Sequence, residues 1–366
     1  MDVVSFEGRG LGSSLVPHEE LADCAATALR ADGARILSYG TGAGYTPLRE
    51  LVAEQLDIHP FRIVLTNGWL QGFSLLAQGR VTAKSVVIEY PAYDQALQML
   101  FRMGANIVYA DWHEEGINLT LLADTLRVTP GVPLALITPN FNNPTGRCLT
   151  LEQRIRYCEI MRQYKVTVIE DDTYGLLRYD GEPLPSMFDI LDGSAVYSSS
   201  FAATVAPGLQ VGVFALPDDL PTEMTDTANS TYITPVLLAQ ATVFEFIRRG
   251  SFEPNLERLK EELRERRDTL LGALESSFGD MDGAQWTRPD GGIFVVLSLT
   301  PGIDAAKVVE RAEGVNAAPG DDFGGMPHTI RLNFAGPASV DQIEPAIERL
   351  AAAARSVADD PPFTGY

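Results

Sequence analysis

The middle of the chain alternates short apolar runs with longer stretches of helical period. Apolar segments at 62–66, 85–89, 106–110, 134–138, 166–170, 195–198 and 211–216 are rich in Val and Ile, and several are apolar at successive positions. A strand reads this way when both its faces are hidden, so helices must cover the sheet on both sides. Helical patterns lie between these runs, at 70–78, 92–103 and 151–164. The alternation predicts an α/β fold with a mostly parallel sheet of about seven strands. The C-terminal third has a different pattern. Leu256, Leu259, Leu263, Leu270 and Leu274 fall on one face of a long helix over 255–278. Short strands at 293–297 and 329–334 and a helix from about 340 to 354 follow, which predicts a smaller α+β domain. The expected division is an N-terminal segment, 1–38, packing with the small domain, a large domain over 39–250 and the small domain over 251–366. A chain of 366 residues suits two domains.

Charge narrows the choice of partners. Lys and Arg number 28 against 49 Asp and Glu, a net charge of −21. Such a surface repels phosphate backbones and anionic lipid, so neither nucleic acid nor a membrane is an expected partner. No apolar run reaches the length of a spanning helix. The first residues lack the basic and apolar regions of a secretory leader, so a cytoplasmic location is expected. Cys24, Cys148 and Cys158 are odd in number and match no disulfide or metal spacing. The four histidines are scattered, and no metal is expected. Lysine is scarce: Lys84, Lys165, Lys260 and Lys307 are the whole set.

Gly40-Thr41-Gly42-Ala43-Gly44 is the most visible glycine cluster. A dinucleotide site there would need GxGxxG spacing and an acid at the end of the next strand. The spacing is absent and that strand ends Leu65-Thr66-Asn67-Gly68, so a tight turn is the better reading. Three other segments each follow a predicted strand directly: Asn140-Phe141-Asn142-Asn143-Pro144-Thr145-Gly146, Glu170-Asp171-Asp172-Thr173-Tyr174, and the stretch from Ser198 through Ser200-Phe201-Ala202-Ala203 and Ala206-Pro207-Gly208-Leu209-Gln210 to Gly212. Polar strand ends in an α/β sheet are where ligands bind.

Together and in this order, these segments resemble the class I/II aminotransferases, enzymes of fold type I that use pyridoxal 5′-phosphate (PLP). The nearest branch is the aminoadipate and aromatic aminotransferases with their regulator-fused relatives. The resemblance runs from about Tyr39 to Phe334 and includes Pro91-Ala92-Tyr93, Pro289-Asp290-Gly291-Gly292 and Arg331-Leu332-Asn333-Phe334. It implies a role for each residue. Asp171 keeps the pyridine nitrogen protonated, so that the ring draws electrons from the substrate Cα. Asn143 and Tyr174 hydrogen-bond the ring's phenolic oxygen, and Tyr93 stacks on the ring face. The phosphate sits on the helix N-terminus at Gly68, Trp69 and Leu70, with Ser200 adding a hydroxyl. Trp69 and Leu70 are large for these positions. Tyr39 reaches the phosphate of the partner subunit, which implies a homodimer. Arg331, beside Asn143, holds the substrate α-carboxylate.

Two departures stand out. The family's Schiff-base lysine falls at Ala203, and its phosphate-binding arginine at Gln210. Alanine can neither hold the cofactor aldehyde nor move a proton. Either Ala203 is a substitution of the kind made to trap a bound substrate, or the chain lacks the lysine by nature. The intact residues around it favour the first. Gln210 and Trp69 point to an atypical parent. The expected function is a PLP-dependent, aminotransferase-like enzyme acting on an amino acid through an external aldimine, inactive or trapped in this form. The alternatives are a biosynthetic PLP enzyme that decarboxylates, eliminates, replaces or oxidises, and a lysine-free PLP-fold binding protein.

Overall fold

The computed structural model describes residues 3–360 except 79, 82, 114, 115 and 325. A short strand, β1 (Val4–Ser5), opens the chain. The large sheet contains β2 (Ile63–Asn67), β3 (Ser85–Tyr90), β4 (Asn106–His113), β5 (Gly116–Ile117), β6 (Leu134–Ile137), β7 (Thr167–Asp171), β8 (Val196–Ser200) and β9 (Val211–Ala215). Their spatial order is β2-β9-β8-β7-β6-β3-β4-β5. The pairs β4/β3, β3/β6, β6/β7 and β7/β8 are parallel, while β9 runs antiparallel to both β8 and β2. The seven expected strands are present, but the sheet has eight. The additional β5 is a two-residue antiparallel edge against β4. A strand this short has no periodicity to read.

The both-faces-apolar pattern has the expected cause. Val64, Val86, Ile88, Leu136, Ile169, Val196 and Phe214 face one layer with Trp69, Phe73 and Leu97, from helices Trp69–Ala77 and Asp94–Arg102. On the other face, Val87, Ala135, Ile137 and Val168 meet Leu122, Tyr157 and Met161. Ile63, Leu65, Val211 and Val213 meet Leu48, Leu237 and Ala241 on the same side.

The C-terminal part is a four-stranded sheet, β10 (Gln285–Trp286), β11 (Phe294–Ser298), β13 (Ala318–Pro319) and β14 (Thr329–Asn333), with β12 (Val315–Asn316) pairing outside it with β1. Helix Phe252–Phe278 packs beside it and buries Leu256, Leu259, Leu263, Leu270 and Leu274. The last helix, Ile343–Ala358, begins three residues later than the pattern suggests, after a 3-10 turn at Val340–Gln342. After β1, residues 7–12 run as an irregular strap across the C-terminal ends of the large-sheet strands. Asn333 fixes this strap by donating Nδ2 to Gly8 O (3.0 Å) and Gly10 O (2.8 Å).

Candidate active site

The parallel strands deliver their polar ends to one cleft of about 530 Å³ between the strap and the sheet. Gly68, Trp69, Leu70, Tyr93, Asn143, Asp171, Tyr174, Ser200 and Gln210 all line it, so nine residues named from the sequence come together. Three do not line it: Arg331, Ala203 and Tyr39.

Asp171 ends β7 and is buried. Its Oδ1 accepts from Thr173 N (3.1 Å) and Thr173 Oγ1 (2.6 Å), which leaves Oδ2 for a ligand. Burial raises its pKa to about 7, against the pull of these two bonds. Its neighbours take structural work. Glu170 accepts from Met187 N and Phe188 N, both at 3.0 Å, and burial pushes its pKa to about 8. Asp172 accepts from Asn140 Nδ2 and the Tyr197 hydroxyl.

The helix N-terminus at the other end of the cleft starts from Gly68, whose φ is +80°. That conformation favours glycine, and a Cβ there would also displace the Gln210 side-chain amide, whose Oε1 would lie 2.6 Å away. The Trp69 side chain does not enter the cradle. Its Nε1 donates to Ser198 Oγ (2.8 Å), and its ring stacks on Phe73 at 5.1 Å and meets Tyr93 edge-on at 6.1 Å. The side chain that is large for a phosphate site is therefore spent on the core, while the backbone N–H groups of the first helical turn remain. Ser200 Oγ donates to Val211 O (3.3 Å) and accepts from Ala202 N (3.2 Å). Gln210, with φ +49°, donates Nε2 to Pro207 O (2.9 Å).

Arg331 is 1% exposed. It lies between the Phe294 and Phe323 rings, 4.6 and 4.7 Å from its Cζ. Its Nη1 donates to Asn143 Oδ1 (2.9 Å) and its Nη2 to the strap carbonyls of Glu7 (2.6 Å) and Gly8 (3.1 Å). Its Nε is buried without a partner, and burial lowers its pKa to about 10. The fork expected to face a substrate carboxylate is thus largely taken by the strap.

Ala203 is fully buried in the apolar cluster that holds Val205, Ala206, Phe246 and Phe252, while its neighbour Ala202 lines the cleft. Tyr39 is 81% exposed, near the Gly40–Gly44 turn, where Gly42 N donates to Asn229 Oδ1. Helix His18–Ile36, not a strand, leads into that turn, which removes the dinucleotide reading.

The sequence did not reveal the strap. Arg9, Gly10 and Leu11 line the cleft, and Arg9 forms an ion pair with Asp94. Thr173, the partner of Asp171, was also missed, though its place two residues after a strand-end acid is a turn signal.

The ring end of the cleft fits PLP: a buried carboxyl with an open oxygen, an aromatic wall and an orphaned Arg331 Nε behind Asn143. The phosphate end fits through backbone N–H groups and Ser200, without a cation at 203 or 210. Comparison with known proteins gives the same picture. Residues 9–350 match the model of the family described as aminotransferase class I and II. The chain is 33% identical to the 2-aminoadipate transaminase of Thermus thermophilus, over 91% of this chain and 85% of that protein. It is 31% identical to aromatic-amino-acid aminotransferase 1 of Thermococcus litoralis, over 96% and 87%. The crystal structure of an α-aminoadipate aminotransferase from Thermus thermophilus, complexed with N-(5′-phosphopyridoxyl)-L-leucine, superposes with a TM-score of 0.92 at 30% identity, covering 97% of this chain and 93% of that one. Strand order, cleft and sequence agree: the chain belongs to the class I and II aminotransferases, PLP-dependent enzymes of fold type I.

Proposed function

We propose that this chain holds PLP in the cleft without a covalent bond and receives an amino acid beside it. The observation that carries the reading is Asp171, a buried carboxyl with a free oxygen in a cleft that contains no lysine. PLP, when bound, supplies an electron sink for charge developing at the substrate Cα. Asp171 would hold a proton at the ring nitrogen, since its own pKa near 7 falls when a cation lies beside it. Tyr93 would cover one ring face, Asn143 would donate to the ring oxygen, and the Tyr174 hydroxyl, which donates to Arg9 O at 3.3 Å, would turn from that carbonyl to join Asn143. The N–H groups at Gly68, Trp69 and Leu70 and the Ser200 hydroxyl would take the phosphate. Arg331 would take the substrate carboxylate through its unused Nε and whatever it releases from the strap.

Among the described residues, no lysine lines this cleft to move the Cα proton. Burial raises the Tyr93 pKa to about 12 and the Tyr174 pKa further still, so neither is a ready base. Ala203, Gln210 and Trp69 all depart from the family pattern around the phosphate end of the cleft. A single substitution made to trap a substrate accounts for one of the three. Their clustering favours a chain that lacks the lysine by nature.

We also place the protein in a homodimer, with residues 39–250 forming the cofactor domain. Leu37 (71% exposed), Tyr39 (81%) and Val236 (60%) offer an uncovered apolar surface from which Tyr39 would serve the partner's cleft. Three unpaired cysteines, and the absence among the described residues of a helix long and apolar enough to cross a membrane, suit a cytoplasmic protein.

The test is borohydride reduction in the presence of PLP, followed by peptide mass spectrometry. The protein should bind PLP yet carry no pyridoxyl group, and Ala203→Lys should acquire one at residue 203. An adduct on Lys84, Lys165, Lys260 or Lys307, or failure to bind PLP, overturns the reading.

A further inference from the structure

Arg9 is the one positively charged side chain among the described residues that line the cleft, and Asp171 is the one acid. An anionic ligand entering here meets no lysine at 203 and no arginine at 210. The charge on the strap is therefore the cation available to it.

The strap holds Arg9 firmly. Asn333 fixes the carbonyls on either side of it, at Gly8 and Gly10, and the Tyr174 hydroxyl donates to Arg9 O at 3.3 Å. Gly10 lies so close to Pro207 that an added Cβ would come within 3.1 Å of the proline Cβ. Arg9 is thus one residue away from the turn that carries Ala202, Ala203 and Gln210. Its guanidinium is oriented by Asp94, the residue after Tyr93. Nε donates to Oδ1 (3.3 Å) and Nη2 to Oδ2 (2.5 Å). The two partners differ sharply in exposure: the Asp94 side chain is 2% exposed and that of Arg9 is 48% exposed. The buried carboxylate also sits in the first turn of helix Asp94–Arg102, where the helix dipole favours its charge. Asp94 therefore serves as a fixed anchor. Its two contacts use two of the five N–H groups of the guanidinium, and the others make no hydrogen bond to a described residue. Half-exposed ion pairs contribute little to stability, so folding alone gives weak reason for placing this one in the cleft.

We propose that Arg9 is the anion-binding cation of this cleft, positioned by Asp94 and standing in for the charges absent at 203 and 210. Its ligand is an oxyanion, either the cofactor's phosphate or a second carboxylate on the substrate. The proposal rests on the reading that the cleft takes PLP and an amino acid.

The test is spectroscopic titration of the full chain and of Arg9→Ala. PLP is compared with pyridoxal, and on the PLP-loaded protein glutamate is compared with glutamine. If Arg9 meets the phosphate, Arg9→Ala weakens PLP on the order of 10- to 100-fold and leaves pyridoxal unchanged, as expected for one charge-assisted contact. If it meets a substrate carboxylate, PLP binding holds and the preference for glutamate over glutamine falls by a similar factor. Arg9→Lys, which keeps the charge without the fork, should fall between the parent and Arg9→Ala and guards against a folding defect. Unchanged affinities for all four compounds in Arg9→Ala overturn the proposal. A second readout needs no cofactor: inorganic phosphate or glutarate should slow phenylglyoxal modification of Arg9, located by mass spectrometry, relative to Arg102. If the parent binds no PLP, the cofactor reading fails, and the role of Arg9 is then decided by this protection. Absence of protection overturns it.

Discussion

Replacing Asp171 by asparagine isolates the cost of keeping a carboxyl group in the cleft. Burial raises its pKa from 3.8 to about 7. Between these values the folded chain keeps a proton that the unfolded chain has released, so stability falls as pH rises through this window. At about 1.4 kcal/mol per pKa unit, the penalty is roughly 1.5 kcal/mol at pH 5 and levels off at roughly 4 kcal/mol by pH 8. Asparagine keeps the oxygen that accepts from Thr173 and never ionises. Asp171→Asn should therefore be more stable than the parent in cofactor-free protein, with the gap widening by about 2–3 kcal/mol between pH 5 and pH 8. Urea unfolding at the two pH values measures it. Glu89 and Glu170, buried with pKa values near 8, remain in both proteins and cancel in the comparison. Saturating PLP should then shift the balance towards the parent, because a carboxylate pairs with the ring cation and an amide does not. A gap that is flat with pH would show that Asp171 is ionised throughout. A PLP-induced stabilisation equal in both proteins would show that Asp171 does not face the ring nitrogen.

Gln210→Arg should raise PLP affinity on the order of 10-fold or more and leave pyridoxal unchanged, because residue 210 lies against the Gly68 cradle; equal effects on both compounds would place the phosphate elsewhere. Arg331→Ala should destabilise the fold by about 3–5 kcal/mol, since it strands the Glu7 carbonyl and Asn143 Oδ1 and opens the space between two phenylalanine rings. Tryptic cleavage after Arg9 should accelerate, and amino acid binding should weaken more than PLP binding; an unchanged cleavage rate would refute the anchoring role.

Much of the large domain follows from local pattern. Runs such as that at 134–138 are apolar on both faces, and only a doubly covered sheet accommodates several of them. The residues at their C-terminal ends, Asn143, Asp171 and Ser200, meet because parallel strands direct all these ends to one edge. The eighth strand was beyond reach, since two residues carry no period. The strap was hidden for a different reason. Gly8-Arg9-Gly10 has no periodicity, and its carbonyls accept from Arg331, Asn333 and Tyr174, which lie more than 160 residues away. Nothing local announces such bonds.

The sequence by itself determined the fold class, the family and nine of the residues that line the cleft, because each depends on residue type at a fixed offset from a strand end. Tertiary structure decided where the charges went. Only long-range packing could turn Trp69 away from the phosphate cradle, hide Ala203 in the core, engage Arg331 with the strap and bring Arg9 across 85 residues of sequence to Asp94. Pairwise electrostatics depend on distance and burial, and neither is encoded in the spacing of residues along a chain.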